Sequence, residues 1–203
     1  MFITFEGGEG SGKTTLIANI KRILFEKGFD CITTREPGGS FVAEAIRTVV
    51  LDPIYKGVSK YTEALLYAAS RAQHLDDVII PALKENKIVI CDRFLDSSLA
   101  YQAYGRDLGI DFVLAVNTYA LKYIPDLTFY IDIAPEIGLE RIKTRSKKDR
   151  LDNEANTFHT KVREGYLKLV DLYTERIIKI DGKLPIVEIE EIIMKKLEEK
   201  LWN

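Results

Sequence analysis

The chain has 203 residues, with 29 Lys and Arg against 31 Asp and Glu, and 46% of it is apolar. That length supports one sizeable core and is short for two. The net charge of −2 excludes a protein whose main task is coating nucleic acid, which needs excess Lys and Arg to displace counterions. No basic-plus-apolar leader opens the sequence and no run of about 18 apolar residues occurs, so a cytoplasmic protein is expected. Cys31 and Cys91 lie far apart in apolar runs and are expected as buried free thiols of a reducing compartment.

Strand-like and helix-like segments alternate. Phe2 to Glu6 is a short apolar run ending in glycines and reads as a strand. Lys13 to Lys27 carries Leu16, Ile20, Ile23 and Leu24 on one helical face and closes on Gly28. Asp30 to Thr34 reads as a second strand, and Pro37-Gly38-Gly39 as a turn. Phe41 to Leu51 is predicted helical with Val42, Ala45, Ile46 and Val49 on its apolar side. Thr62 to Glu85 is a long helical stretch bent before Pro81. Lys87 to Cys91 is apolar throughout, as suits a strand covered on both faces. Asp96 to Ala103 and Asp111 to Lys122 read as helices, and Leu127 to Ile133 as another buried strand. Pro135 opens a helix running to about Lys143, and a dense charge cluster follows to Arg150. Asn156 to Ile178 is mainly helix, Ile177 to Ile180 a last strand, and Val187 to Leu201 a closing helix with Ile189, Ile192, Ile193 and Leu197 in register. This order implies one α/β domain, a parallel sheet between two helical layers.

The strongest motif is Gly7-Gly8-Glu9-Gly10-Ser11-Gly12-Lys13-Thr14, followed by Thr15. It fits G-x-x-x-x-G-K-[ST] in full, between a predicted strand and a predicted helix. Its glycines let the backbone wrap a phosphate closely and aim N–H groups at it, and the helix N-terminus adds partial positive charge. Lys13 is expected to reach the β and γ phosphates of a nucleotide and Thr14 to offer its hydroxyl to Mg²⁺. The loop by itself does not separate a kinase from a switch or a motor.

Two further signals bear on that choice. The run Val89-Ile90-Cys91-Asp92-Arg93 ends an apolar strand in a carboxylate and a guanidinium, and such strand ends face the ligand crevice of a parallel sheet. Asp92 can hold Mg²⁺ or its waters, or receive an acceptor's proton; the Arg93 fork suits a dianionic phosphate. The cluster Arg141, Lys143, Arg145, Lys147, Lys148 and Arg150 is either a solvated basic face or a lid, at about 141–154, that closes over a triphosphate. The variable loop positions carry no arginine, which favours Arg145 or Arg150 as the guanidinium that neutralises the transferring group. The guanine-selecting N-K-x-D is absent, because Asn86-Lys87 continues as Ile88-Val89. An acceptor-independent regulatory ATPase remains the alternative to a kinase.

The segments FEGGEGSGKTT, TREPGG, LLYAASRAQH, DRFLDSSLAYQAYGR, PDLTFYIDI and DRLD resemble the bacterial type of thymidylate kinase, a family of P-loop nucleoside monophosphate kinases, from Phe5 to about Glu154. The resemblance implies a three-layer fold on a parallel five-stranded sheet. It also implies transfer of the γ-phosphoryl group of Mg·ATP to dTMP, giving dTDP and ADP for dTTP synthesis, by a homodimer. Gly7 to Thr15 would bind ATP. Glu9 would help position the acceptor near its 3′-hydroxyl or the metal waters. Arg35 and Glu36 would shape the acceptor site, and Arg47 and Arg93 would approach the acceptor phosphate. Tyr67 would stack on the base, Arg71 would bond a base carbonyl, and Ser97, Ser98 and Gln102 would read the base edge and sugar. Tyr101 would crowd the 2′ position. Arg145 and Arg150 match the lid arginines. Helical spacing agrees where it applies: Tyr67 and Arg71 share a face, as do the residues from Ser97 to Gln102, although Tyr67 also suits a core beside Leu65 and Leu66. Another nucleoside monophosphate is the alternative acceptor. His74 and His159 fit no metal spacing and are expected as surface or supporting residues. Ala103-Tyr104 stands where the family often has glycines.

Overall fold

The computed structural model describes residues 1–55, 57–143, 150–152 and 154–201. Its centre is a five-stranded parallel sheet in the order β2-β3-β1-β4-β5. Strand β1 (Phe2–Glu6) leads into helix α1 (Lys13–Glu26), β2 (Cys31–Arg35) and α2 (Phe41–Leu51). Helix α3 (Lys60–His74) continues through a wide π segment, Leu75–Ile79, into α4 (Ile80–Lys84). The predicted bend before Pro81 is that segment: proline lacks the N–H a tighter ladder would use there.

Strand β3 (Ile88–Asp92) is followed by α5 (Leu95–Ser98), a π segment Leu99–Gly105, α6 (Ile110–Val116) and a 3₁₀ turn Ala120–Tyr123. The single helix expected over Asp111–Lys122 thus stops at Val116. Asn117 breaks it, donating from Nδ2 to the Val113 carbonyl while its Oδ1 accepts from Arg71. Strand β4 (Leu127–Asp132) precedes α7 (Pro135–Ile142), α8 (Asn156–Leu172), β5 (Ile177–Asp181) and α9 (Ile186–Leu201). Helix α8 ends six residues short of the expected Ile178, because the β-branched run Ile177, Ile178 and Ile180 is claimed by pairing with Thr128, Phe129 and Ile131 of β4.

Strand alternation divides the interior in two. Phe2, Val89, Cys91, Tyr130 and Ile177 face the core formed with α3, the Leu99–Gly105 segment and α8. Ile3, Phe5, Ile88, Ile90, Phe129 and Ile131 face α1 and α9. Both cysteines are buried free thiols.

The expected apolar side of α2 is not its buried side. Ala43 and Val50 are buried, whereas Val42 is 46% and Val49 38% exposed, beside Phe41 at 93%. Helix α2 lies outside the edge strand and packs on α3; that contact covers Ala43 and Val50 and leaves the richer stripe outward. Periodicity reports an apolar face, not what covers it.

Candidate active site

The ends of β1, β2 and β3 open on a cavity of about 420 Å³. At one end lies the loop between β1 and α1. Its glycines are there for space as well as for backbone freedom. Gly10 has φ 68°, and a Cβ on it would stand 2.2 Å from the Gly138 carbonyl oxygen. Gly138, on α7, would in turn put a Cβ 2.0 Å from the carbonyl oxygen of Glu9. The loop is therefore seated directly on α7, a contact no loop motif announces.

Lys13, 7% exposed, folds back over its own loop. Its ammonium donates to the carbonyls of Gly7 (3.0 Å) and Gly8 (3.1 Å) and to Ser11 Oγ (3.1 Å). Burial first, then the Arg93 charge, pushes its pKa down to about 8. Gly10, Ser11, Gly12, Thr14 and Thr15 line the cavity beside it.

Asp92 ends β3, paired in register with Arg35 of β2. Its Oδ1 is buried with no hydrogen-bond partner, although a buried carboxylate oxygen normally has one. Asp92 and the solvent-facing Thr14 both line the cavity. Magnesium on a nucleotide is typically held by one or two protein oxygens, with phosphates and waters supplying the rest. An orphaned carboxylate oxygen and a hydroxyl fit that donor set. Among the described residues no group of three or more His, Cys, Asp or Glu is placed to hold a metal alone.

Arg93 adopts φ 70°, a left-handed conformation costly for a side chain of its size. The turn is held by two hydrogen bonds: Arg93 N–H to the Phe5 carbonyl (2.9 Å) and Phe94 N–H to Glu6 Oε1 (2.7 Å). The guanidinium is then aimed from both sides. Nη2 donates to Glu9 Oε1 (2.6 Å), Nη1 to Ser97 Oγ and Tyr166 OH (3.3 Å each), and the group lies 5.0 Å over the Tyr101 ring. Ser97 and Tyr166 donate their protons to Glu6 Oε2, so their lone pairs are turned to Arg93. Burial raises the Glu6 carboxyl to about 7, with Asp96 adding to it. Burial would raise Glu9 as well, but Arg93, Lys13 and the Tyr101 hydroxyl hold it below its usual range.

Arg35, Glu36, Arg47, Tyr67, Arg71, Ser98, Tyr101 and Gln102 also line this cavity. Arg71 is 2% exposed and largely committed. It donates to Glu36 Oε2 (2.7 Å), Asn117 Oδ1 (2.6 Å), the Phe94 carbonyl (3.0 Å) and Ser98 Oγ (3.0 Å). Glu36, 4% exposed, also pairs with His74 Nδ1, whose Nε2 meets Thr34 Oγ1. His74 is accordingly a buried prop of this network and not a surface residue. Arg47 Nη1 donates to the Pro37 carbonyl (2.6 Å), and Arg35 pairs with Glu44.

The basic cluster divides. Arg145, Lys147 and Lys148 lie outside the described residues. Arg150 is turned toward α2 and α3, where its Nη2 meets Glu63 Oε2 (2.5 Å) and its Nε the Val50 carbonyl (3.1 Å). Among the described residues of the cluster, Arg141 touches the loop between β1 and α1, from Nη1 to the Gly10 carbonyl (3.2 Å). His159 is 5% exposed, with Nε2 unpartnered, at a small second cavity behind Gly8 and Glu9.

Sequence reasoning missed Glu6, Glu63, Asn117, Gly138 and Tyr166. Only Glu6 carried a signal, as a carboxylate at the end of an apolar strand just before the loop. The others stand dozens of residues from their partners.

The arrangement brings a glycine-rich loop with its lysine, the Asp92 carboxylate and the arginines Arg35, Arg47, Arg71 and Arg93 to the lining of one cavity. The sequence pattern of the thymidylate kinase family matches residues 5–193. The "Thymidylate kinase" of Acholeplasma laidlawii (strain PG-8A) is 59% identical over 99% of this chain and 100% of its own length. That of Geobacillus sp. (strain WCH70) is 53% identical over 93% and 91%, and that of Onion yellows phytoplasma 50% identical over 98% and 97%. Identity at this level across nearly the whole chain means that the protein belongs to the thymidylate kinase family.

Proposed function

We propose that this thymidylate kinase family member transfers the γ-phosphoryl group of Mg·ATP to dTMP, giving dTDP and ADP for dTTP synthesis. The observation that carries the reading is a single cavity lined both by the Lys13 loop and by Arg47, Arg93, Tyr67, Arg71 and Gln102.

The loop backbone and Lys13 hold the triphosphate of ATP, Lys13 exchanging its carbonyl partners for phosphate oxygens. Thr14 and Asp92 would hold the magnesium ion, which would neutralise charge on the phosphates. Arg93, aimed by Glu9, Ser97 and Tyr166, clamps the acceptor phosphate together with Arg47. That phosphate is already an anionic nucleophile, so the chain's work is alignment and charge neutralisation, with no strong base required. Glu9, tied to both Arg93 and Tyr101, helps position the acceptor near its 3′-hydroxyl or the metal waters. Arg35 and Glu36 shape the acceptor compartment, Tyr67 stacks on the base, Arg71 bonds a base carbonyl, and Ser97, Ser98 and Gln102 read the base edge and sugar. Tyr101 crowds the 2′ position. Segment 141–154 acts as a lid whose arginines, Arg145 and Arg150, approach the triphosphate on closure.

The chain works in the cytoplasm as a homodimer. No helix among the described residues is long and apolar enough to cross a membrane. The outward Phe41, Val42 and Val49 of α2 and Tyr61 and Leu65 of α3 form adjoining apolar surface of the kind that marks an interface. A single monomer-mass species in light scattering at micromolar concentration would remove the dimer.

The reaction is tested with purified protein, Mg·ATP and separately dTMP, dUMP, CMP, AMP and GMP, following ADP and identifying products. Turnover with dTMP to dTDP and little with the ribonucleotides is expected. Turnover with a different monophosphate would discard the base-site roles, and ADP release without any acceptor would point to an ATPase.

A further inference from the structure

Glu63 has no part in the mechanism above, yet it is 1% exposed and lies one helical turn before Tyr67 on α3. It accepts from Gln102 Nε2 (2.9 Å), from Arg106 Nε (3.2 Å) and Nη2 (3.1 Å), and from Arg150 Nη2 (2.5 Å). Burial would raise its carboxyl, but the Arg106 guanidinium and then Gln102 and Arg150 hold it below its usual range, so it is an anion at neutral pH. A carboxylate anion offers only lone pairs. It can take the NH₂ group of the Gln102 amide and never the carbonyl.

The consequence reaches the cavity that Gln102 lines. Glu63 takes one N–H of the NH₂ group, so the amide cannot flip, and among the described residues no donor meets its oxygen, which is available to the cavity. Arg71, which lines the same cavity, has five N–H donors. Nε is spent on Glu36, both on Nη2 on the Phe94 carbonyl and Ser98, and one on Nη1 on Asn117; one Nη1 donor remains. The base end of the cavity therefore displays an acceptor and a donor. A base edge carrying N3–H beside a C4 carbonyl, as in thymine and uracil, matches that pair. Cytosine, with a bare N3 beside an amino group, presents the reverse.

We propose that Glu63 is a positioning residue that sets base selectivity, by locking the Gln102 amide with its oxygen left for the substrate. The inference rests on the reading that the acceptor's base lies at this end of the cavity. A glutamine at position 63 can present either an oxygen or an NH₂ group to Gln102, so Glu63→Gln releases the lock.

The test compares kcat and KM for dTMP and dCMP in the wild-type protein, Glu63→Gln and Gln102→Leu, with thermal melts of each. The expected result for Glu63→Gln is a fall of roughly tenfold or more in the dTMP:dCMP ratio of kcat/KM, expressed in KM more than in kcat. A wild-type ratio in Glu63→Gln with a reduced ratio in Gln102→Leu overturns the role of Glu63 and keeps the base-site reading. A wild-type ratio in both removes the base-site reading and this inference with it. A measurement that needs no variant covers a Glu63→Gln protein that does not fold. The chain has two glutamines, Gln73 and Gln102, so glutamine-selective ¹⁵N labelling resolves both side-chain amides. Slow hydrogen exchange of the Gln102 amide relative to that of Gln73 is expected, and equal exchange overturns the lock.

Discussion

Raising pH from 7 to 9 should loosen ATP binding through one group. Lys13 carries a pKa pushed down to about 8 by burial and by Arg93, against the opposing pull of Asp92, Glu9 and Glu6. In the free protein its ammonium is thus about nine-tenths populated at pH 7, half at pH 8 and one-tenth at pH 9. The triphosphate of bound ATP favours the protonated form, so binding above pH 8 must first recruit a proton. The sign follows: affinity is highest below pH 8 and falls as pH rises through it, with Kd for ATP increasing about tenfold between pH 7 and pH 9. ATP itself is fully ionised over the upper part of this window. Isothermal titration calorimetry in two buffers of different ionisation enthalpy should show uptake of about half a proton per ATP at pH 8, and Lys13→Met should abolish both the uptake and the slope. A Kd that stays flat from pH 7 to 9 with no proton uptake would refute the reasoning, since it would mean that Lys13 remains charged in its loop and is not desolvated as its surroundings demand.

Gly138→Ala should push the phosphate loop off its seat, because the new Cβ stands 2.0 Å from the Glu9 carbonyl oxygen; overpacking of this kind costs about 1–3 kcal/mol. It should raise the KM for ATP and lower the melting temperature, and a variant with unchanged ATP kinetics would show that α7 does not support the loop. Alanine at Arg145 or Arg150 should separate the lid arginines, the working one losing roughly 10²–10⁵ in turnover at saturating substrate; near-normal turnover in both would remove the lid role. Asp92→Asn should retain the fold and raise the magnesium concentration needed for half-maximal rate. An unchanged magnesium titration would place the metal elsewhere.

Much of the architecture was legible from local pattern. The apolar runs at Phe2–Glu6, Lys87–Cys91 and Leu127–Ile133 mark buried parallel strands because both their faces are covered, and the glycine-rich motif lies between a strand and a helix as read, because glycine spacing encodes its tight backbone turn locally. The TREPGG and DRFLDSSLAYQAYGR segments carried the family, and their residues gather beside strand ends that the sheet order brings together. Which face of α2 packs on α3 was not legible, because amphipathicity names a stripe without naming its cover. The break at Asn117 was invisible because its cause, Arg71, is 46 residues away in sequence.

What the chain determined by itself was therefore the set of strands, the phosphate loop and the chemical types at the site, all written in spacings short enough to act locally. Tertiary structure alone decided how those groups are used. It turned Arg93 by meeting it with Glu9, Ser97 and Tyr166 from three different segments, spent most of Arg71 on buried partners, and set Glu63 against Gln102 across 39 residues of sequence. A hydrogen bond depends on angle and on separations near 3 Å, and separations of that size between distant residues exist only once the sheet and its helices have closed.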